Sequence, residues 1–129
     1  MKELSVTSRV RNEMIDITES VSRAVADAPV EAGFCVVFVP HTTAAVTINE
    51  NADPDVPRDL LAKLASVYPQ EDHYHHSEGN SDAHLKAALV GPSVVIPLRE
   101  GRLALGRWQG IFFCEFDGPR RRQVWIQVR

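Results

Sequence analysis

Residues 33–50 read GFCVVFVPHTTAAVTINE, and this stretch decides the fold. It begins with a continuous apolar run from Phe34 to Val39, which is typical of a central strand buried on both faces. Pro40 ends that run, and Ala44 to Ile48 is a short segment with β-branched residues that predicts a second strand. A polar segment that begins with His41 lies between the two. Functional groups are therefore expected where a rigid central strand ends.

Helical patterns flank this stretch and predict three helices. The pair Asp16 and Glu19 resembles a capping box, and apolar residues at helical spacing follow it. Asp53 supplies an N-cap and Pro54 a first-turn proline for the second helix. Gly91 ends the third helix. The predicted helices cover residues 17–28, 54–67 and 81–90.

The remaining apolar segments are short, alternating or β-branched, and turns separate them, which predicts strands. They lie around Leu4 and Val6, around Val10 to Ile17, and over Ser93–Leu98, Leu103–Leu105, Gly110–Phe116 and Gln123–Val128. This order of elements predicts an α+β fold with a largely antiparallel sheet. A chain of 129 residues can bury one core but is too short for two ordinary domains, so a single domain over residues 1–129 is expected.

Composition and charge argue against several classes of protein. A net charge of −3 argues against a general nucleic-acid binder, although residues 120–122 are a local cluster of three arginines. No segment approaches the ~20 apolar residues of a membrane span, and the polar N-terminus does not resemble a signal peptide. The prediction is therefore a cytoplasmic protein with neither membrane nor nucleic-acid partners. Cys35 and Cys114 lie inside apolar runs and are expected to be small buried side chains without a disulfide.

Histidines are concentrated in one segment. Four of the five fall within the twelve residues from His73 to His84. Neutral imidazole is the commonest protein ligand for zinc, and three histidines plus water form a known open catalytic arrangement. We therefore interpret His41, His76 and His84 as a metal-binding trio. The alternative is a solvated His-rich loop together with a surface histidine in a turn.

Other polar residues have the chemistry to bind a phosphorylated ligand. Arg120 can clamp a phosphate or carboxylate through two hydrogen bonds. Glu50 and Asp53 carry oxygen atoms suited to Mg²⁺, which commonly bridges protein carboxylates and substrate phosphates. Glu115, near the end of the apolar segment before Arg120, is a further candidate. The structural alternatives are that Arg120 belongs to a solvated face, that Asp53 only caps a helix, and that Glu115 is a solvent-facing strand residue.

Three runs of the sequence, taken together, are similar to the YjbQ-like family, a group known as secondary thiamine-phosphate synthases. They are PHTTAAVTINENADPDV, EGNSDAHLKAALVGPS and LALGRWQGIFFCEFDGPRRR, and the likeness extends from about Glu3 to Val128. The resemblance implies an α+β YjbQ-like fold, a largely antiparallel sandwich-like sheet with about three helices. It also implies a homotrimer whose polar blocks lie near the subunit boundaries.

The resemblance further implies an activity and a set of site residues. The activity joins a hydroxymethylpyrimidine diphosphate to a thiazole phosphate, giving thiamine phosphate and pyrophosphate. Three histidines match those of the family and are expected to hold a divalent metal, Zn or Mg: His41, His76 and His84. Glu78 also matches the family pattern. The expected catalytic residues are Glu50, Asp53 and Glu115, and the expected substrate-binding residues are Asn49, Trp108, Gln109 and Arg120.

Two other functions remain open from the sequence. One is a metal-dependent hydrolase, in which the histidine trio holds a metal that activates water. The other is a non-catalytic trimeric module that binds a small anion with the same histidines and Arg120. Retained metal would favour the hydrolase, whereas dependence on Mg²⁺ and two phosphorylated substrates would favour the synthase.

Overall fold

The computed structural model describes residues 1–129 and contains eight strands and three helices. The strands are β1 (Lys2–Thr7), β2 (Glu13–Asp16), β3 (Phe34–Phe38), β4 (Ala44–Glu50), β5 (Ser93–Arg99), β6 (Arg102–Leu103), β7 (Gln109–Glu115) and β8 (Arg121–Val128). The helices are α1 (Thr18–Val25), α2 (Asp55–Val67) and α3 (Ser81–Val90). The predicted α+β class is confirmed, because these strands form two wholly antiparallel sheets.

One sheet has five strands in the order β1-β8-β3-β5-β6, and the other has three in the order β2-β7-β4. The central position predicted for β3 is confirmed. The prediction that both its faces are buried is wrong: Cys35 and Val37 are buried, whereas Phe34 and Phe38 are exposed on the other face. No other layer of the chain covers that outer face. The apolar run at residues 34–39 therefore could not show whether the strand is buried on both faces or leaves one apolar face exposed.

The main hydrophobic core lies between the two sheets. Apolar side chains alternate along each strand, so that one set from each sheet points inward. Helix α1 closes one side of this space with Val21 and Val25, both fully buried. Strand β7 contributes Ile111 and Phe113, and β8 contributes Val124. The result is a sandwich in which the core holds both sheets together.

A smaller hydrophobic cluster lies on the opposite face of the three-stranded sheet. Phe112, Cys114 and Phe116 point away from the main core and meet Ala83 and Ala87 of α3. Helix α2 lies over the same face but has no buried residue. The molecule therefore has three layers, and within the helical layer α2 is less buried than α3.

The predicted helix starts are only partly correct. The Asp16 carboxylate accepts hydrogen bonds from the backbone N–H and hydroxyl of Thr18, but Glu19 pairs with Arg23 rather than completing a capping box. Asp53 accepts a hydrogen bond from the Asp55 N–H, although α2 itself begins two residues later than Asp53. Both acidic residues therefore stabilise the segment that leads into a helix, because negative charge is favourable near a helix N-terminus.

The hairpin between β5 and β6 follows the predicted turn. Glu100 and Gly101 both have positive φ, 51° and 73°, as a two-residue hairpin of the favoured twist requires. Strand β6 is Arg102–Leu103, shorter and earlier than the predicted Leu103–Leu105. Cys35 and Cys114 are buried, as predicted, and both are free cysteines. None of the helices has the length and apolar character needed to cross a bilayer.

Candidate functional site

The predicted site residues are divided between the two ends of one strand. Strands β4 and β7 pair from Ala44 opposite Glu115 to Glu50 opposite Gln109. These six residue steps separate the two ends by about 20 Å, at the usual rise of a strand. We call them the Glu115 end, which also contains His41 and Arg120, and the Gln109 end, which also contains Asn49, Glu50, Asp53 and Trp108. A single chain does not bring these two groups together.

A buried ion pair is the centre of the Glu115 end. Glu115 is fully buried and Arg122 is 3% exposed. The Arg122 Nη2 lies 2.5 Å from Glu115 Oε2, and its Nε lies 2.9 Å from Oε1. The Ser8 hydroxyl donates to Oε1 at 2.7 Å, and the Asp117 N–H donates to Oε2 at 3.0 Å. Arg122 also donates to the hydroxyl of Thr43 at 2.8 Å.

These contacts determine what Glu115 can do. Burial alone would raise its pKa, but hydrogen bonds from Arg122, Ser8 and the Asp117 N–H hold the pKa of this carboxyl below its usual value. Each carboxylate oxygen already accepts at least two hydrogen bonds. The surroundings are those of a buried structural ion pair, not of the solvent-facing strand residue considered as an alternative. A catalytic role for Glu115 stays a prediction.

His41 lies beside this ion pair as a neutral imidazole. Its Nε2 accepts a hydrogen bond of 2.9 Å from the backbone N–H of Gln123. Burial lowers the pKa of His41, and the positive charge of Arg122 lowers it further, with a smaller contribution from Arg120. The proton of the neutral ring is therefore on Nδ1. In this arrangement His41 offers an N–H donor and has no free nitrogen lone pair for a metal.

A second charged network attaches helix α3 to the turn between β7 and β8. Arg11 bridges Asp117 at 3.1 Å and Asp82 at 2.9 Å. The buried Lys86 pairs with the other oxygen of Asp82 at 3.1 Å. Asn80, just before α3, donates to Asp117 at 2.9 Å. These contacts set the position of the first turn of α3, which carries His84.

His76 and His84 are neighbours at the start of α3. Their ring centroids are 5.4 Å apart, with the ring planes perpendicular. Glu78 Oε2 lies 3.6 Å from His76 Nε2. No group of three or more His, Cys, Asp or Glu side chains is arranged to hold a metal within the chain. Two imidazoles do not fill the three protein positions of a catalytic zinc, so the predicted trio is not assembled by one chain.

The Gln109 end is more open to solvent. Trp108 is 55% exposed, and the guanidinium of Arg107 stacks over its ring at 4.9 Å. The side chain of Gln109 accepts a hydrogen bond from the Gly106 N–H, which closes the loop that carries Trp108. Glu50 and Asn49 end strand β4 beside it. An exposed, Arg-stacked indole at the edge of a sheet is suited to contact a flat ring or another protein surface.

Several residues at the Glu115 end were not identified from the sequence: Ser8, Arg11, Thr43, Asp82, Lys86, Asp117 and Arg122. One signal was available for Arg122. It shares the inward face of β8 with Val124 and Ile126, at the period of two that strands impose. An arginine at an inward position needs a buried carboxylate, and Glu115 is the one carboxylate within the apolar strand β7.

Replacing Glu115 with Gln should strongly destabilise the fold. The substitution leaves the buried Arg122 charge without its partner, for which a loss of about 3–5 kcal/mol in the free energy of unfolding is expected. Asp55→Asn is the matched control, because Asp55 forms an exposed pair with Arg58, and a change of about 0.5 kcal/mol or less is expected there. Urea unfolding measures both. Equal effects of the two variants would contradict the assignment of Glu115 as a structural ion pair.

Acid should destabilise the protein through His41. Folding lowers the pKa of His41 below its ordinary 6.5. At a pH between the lowered pKa and 6.5, the unfolded chain therefore binds a proton at His41 that the folded chain does not. This effect is absent above about pH 6.5, and stability falls as the pH decreases below it. Urea unfolding between about pH 7.5 and 5 should reveal the slope, above the range where carboxylates dominate. His41→Asn should flatten it, and His73→Asn, at an exposed position, should not.

The chain matches the family described as UPF0047 protein YjbQ-like over residues 2–129. It is 47% identical to the UPF0047 protein YugU of Bacillus subtilis over 129 residues, which cover 99% of this chain and 98% of that protein. A UPF0047 protein of Methanocaldococcus jannaschii is also 47% identical, over 95% of this chain and 89% of its own length. A crystal structure of a YjbQ/UPF0047 protein from Clostridium acetobutylicum superposes with a TM-score of 0.97 at 51% identity, covering all of both chains. The agreement of sequence and fold over the whole length leads to one conclusion: this chain belongs to the YjbQ-like UPF0047 family.

Proposed function

We propose that this protein acts in the cytoplasm as a secondary thiamine-phosphate synthase. It would join a hydroxymethylpyrimidine diphosphate to a thiazole phosphate, with Mg²⁺ as the preferred divalent metal. The observation that carries the proposal is an oriented guanidinium group at the Glu115 end, which is suited to a phosphate. The resemblance described above supplies the substrate class.

That group belongs to Arg120, whose guanidinium is oriented by two hydrogen bonds to Asp117 and still has free N–H donors. Its Nε donates to the Asp117 carbonyl at 3.0 Å, and its Nη2 donates to the Asp117 carboxylate at 3.2 Å. The Nη1 group forms no hydrogen bond within the chain, and the side chain is half exposed. A guanidinium that is oriented by its own chain loses less entropy when it binds a phosphate oxygen.

His41 adds a neutral donor to the same region. Its Nδ1–H is free to donate, because Nε2 is occupied by the Gln123 N–H. The charge of Arg120 reaches His41 closely enough to affect its pKa. Together they offer one charged and one neutral donor to a phosphorylated substrate.

The proposed reaction is a substitution at carbon. The lone pair of the thiazole nitrogen forms a bond to the exocyclic methylene carbon of the pyrimidine while the bond from that carbon to the diphosphate oxygen breaks. Pyrophosphate leaves with the electron pair, and the thiazole ring becomes a thiazolium. Donors at the leaving oxygens favour this step because negative charge accumulates there. The exposed indole of Trp108 offers a surface on which a flat ring can stack.

The proposed metal would be held by oxygen atoms at the Gln109 end. Glu50 and Asp53 lie there, and one oxygen of Asp53 remains available after Asp53 accepts from the Asp55 N–H. A bound divalent cation supplies neutralisation of the pyrophosphate charge. Carboxylate oxygens suit Mg²⁺ better than they suit zinc, whose structural and catalytic sites favour imidazole and thiolate.

We also propose that the working form is a homotrimer with sites completed between subunits. Head-to-tail contact around a ring would bring the Gln109 end of one subunit to the Glu115 end of the next, bridging the separation of about 20 Å. The outer face of the five-stranded sheet supports assembly. It exposes Phe34, Phe38 and Val95, and the Trp125 ring stacks on Phe38 at 5.8 Å. Contiguous apolar patches of this kind commonly mark interfaces.

Turnover should require both phosphorylated substrates, Mg²⁺ and Arg120. Purified protein given the two substrates should release thiamine phosphate and pyrophosphate in equal amounts, measured by thiochrome fluorescence and a pyrophosphate assay. Arg120→Ala should lower kcat/KM roughly 10- to 100-fold, because a hydrogen bond to a charged group is worth about 1.5–3 kcal/mol.

Arg121→Ala is the matched control, since this neighbouring arginine is exposed and bonded to Ser5. It should leave kcat/KM within about twofold of the wild type. Binding of pyrophosphate without any thiamine phosphate would replace the synthase with the anion-binding module. Chelator-sensitive hydrolysis of either substrate alone would instead favour the hydrolase.

The trimer should depend on the outer sheet face. Sedimentation should give a mass near three times the 14.3 kDa of one chain. Val95→Glu places a charge in the centre of the apolar patch and should shift the mass toward the monomer, because a desolvated unpaired charge is costly. Val30→Glu, at an exposed position outside this face, should not change the mass. A monomeric wild type would contradict the proposal.

A further inference from the structure

Helix α2 packs on the sheet only through Leu61 and Leu64, and it leaves a cavity beside these contacts. A 13-residue amphipathic helix normally buries its apolar stripe against a core. Here Leu60, Leu61 and Leu64 are only partly buried. Beneath them lies a cavity of about 240 Å³ on the outer face of the three-stranded sheet, which we call the α2 pocket.

The lining of the α2 pocket is apolar except for two neutral groups. Apolar side chains from α2, α3, β2 and the end of β7 form most of its wall, and no charged side chain contributes. The lining residues are Met14, Thr47, Asn49, Leu60, Leu61, Leu64, Leu89, Val90, Cys114 and Phe116. A concave apolar wall with a few polar groups is the usual composition of a small-molecule site.

The two polar residues have unused hydrogen-bonding capacity. Asn49 accepts a hydrogen bond from the Glu50 N–H through Oδ1, and its amide nitrogen makes no hydrogen bond within the chain. The Thr47 hydroxyl, two residues earlier on the same face of β4, is also unpaired. Burial raises the pKa of the Cys114 thiol to about 12, so this side chain remains neutral and unreactive. The pocket therefore presents neutral donors and no charge.

We infer that the α2 pocket binds a small, neutral, planar ring compound that carries a hydrogen-bond acceptor. An apolar cavity of about 150 Å³ accommodates benzene, so 240 Å³ leaves room for a ring with one polar substituent. The volume is too small for a peptide, and the uncharged lining disfavours a phosphate. The residues that carry the proposed synthase activity, Glu50, Asp53 and Arg120, do not line the α2 pocket, so the inference does not depend on that activity, although Asn49 belongs to both the pocket and the Gln109 end.

Benzamide and toluene are suitable probes, because they share a ring and differ in the carbonyl acceptor. Amide NMR spectra titrated with either compound, up to about 10 mM for the more soluble benzamide, should show shifts at Thr47, Leu61 and Cys114. Hydrogen exchange in α2 should slow on binding, while exchange in α1 should not change. Thr47→Val should weaken benzamide binding about fivefold or more and leave toluene binding unchanged.

Leu61→Trp fills the pocket from the helix and should abolish binding of both probes without loss of the folded NMR spectrum. Ala62→Trp, on the exposed side of the same turn, should bind like the wild type. Absence of binding by the wild type at these concentrations would overturn the inference. A change in sedimentation mass on Leu61→Trp would also overturn it, because a second copy of the chain would then occupy the pocket. Thiamine-phosphate synthesis by wild type and Leu61→Trp is measured separately, so either proposal can fail alone.

Discussion

The structure depends most on the ion pair between Glu115 and Arg122, because it joins the two sheets through charge rather than through apolar packing. Glu115 ends β7 in one sheet, and Arg122 lies in β8 of the other. Two buried charges are costly to desolvate, and the cost is offset only when every remaining donor and acceptor is satisfied. Ser8 and Thr43 complete that set from two further segments. Three distant parts of the chain, around Ser8, around Thr43 and along the consecutive strands β7 and β8, are therefore held in one geometry.

This constraint determines where binding chemistry can occur. Asp117 lies two residues after Glu115, and its backbone N–H donates to the Glu115 carboxylate. Its side chain in turn orients Arg120 and, through Arg11, the start of α3 with His84. The buried pair is thus a rigid support, and the groups available to a ligand lie in the next layer outward. Such support is what gives a polar site a defined geometry.

Two other surfaces of the molecule are less well packed than the region around this ion pair. The outer face of the five-stranded sheet exposes aromatic and aliphatic side chains, and the helical layer covers a cavity with a helix that has no buried residue. The main core contains 15 buried residues, and the cluster beneath the helices contains six, so the helical layer rests on the smaller of the two clusters. The single chain is therefore a stable sandwich with two surfaces that remain available for contacts.

The sequence by itself determined the α+β class, the helix and strand order, and the central position of β3, because these follow from local periodicity and turn residues. It also singled out His41, Glu115 and Arg120, since polar residues beside apolar strands are conspicuous. Only the tertiary structure decided that Glu115 is paired with Arg122, that the outer face of β3 is exposed, and that the predicted residues divide between two ends of β7. Those properties depend on which strands become neighbours, and long-range pairing is set by the packing of the whole chain and not by any local pattern.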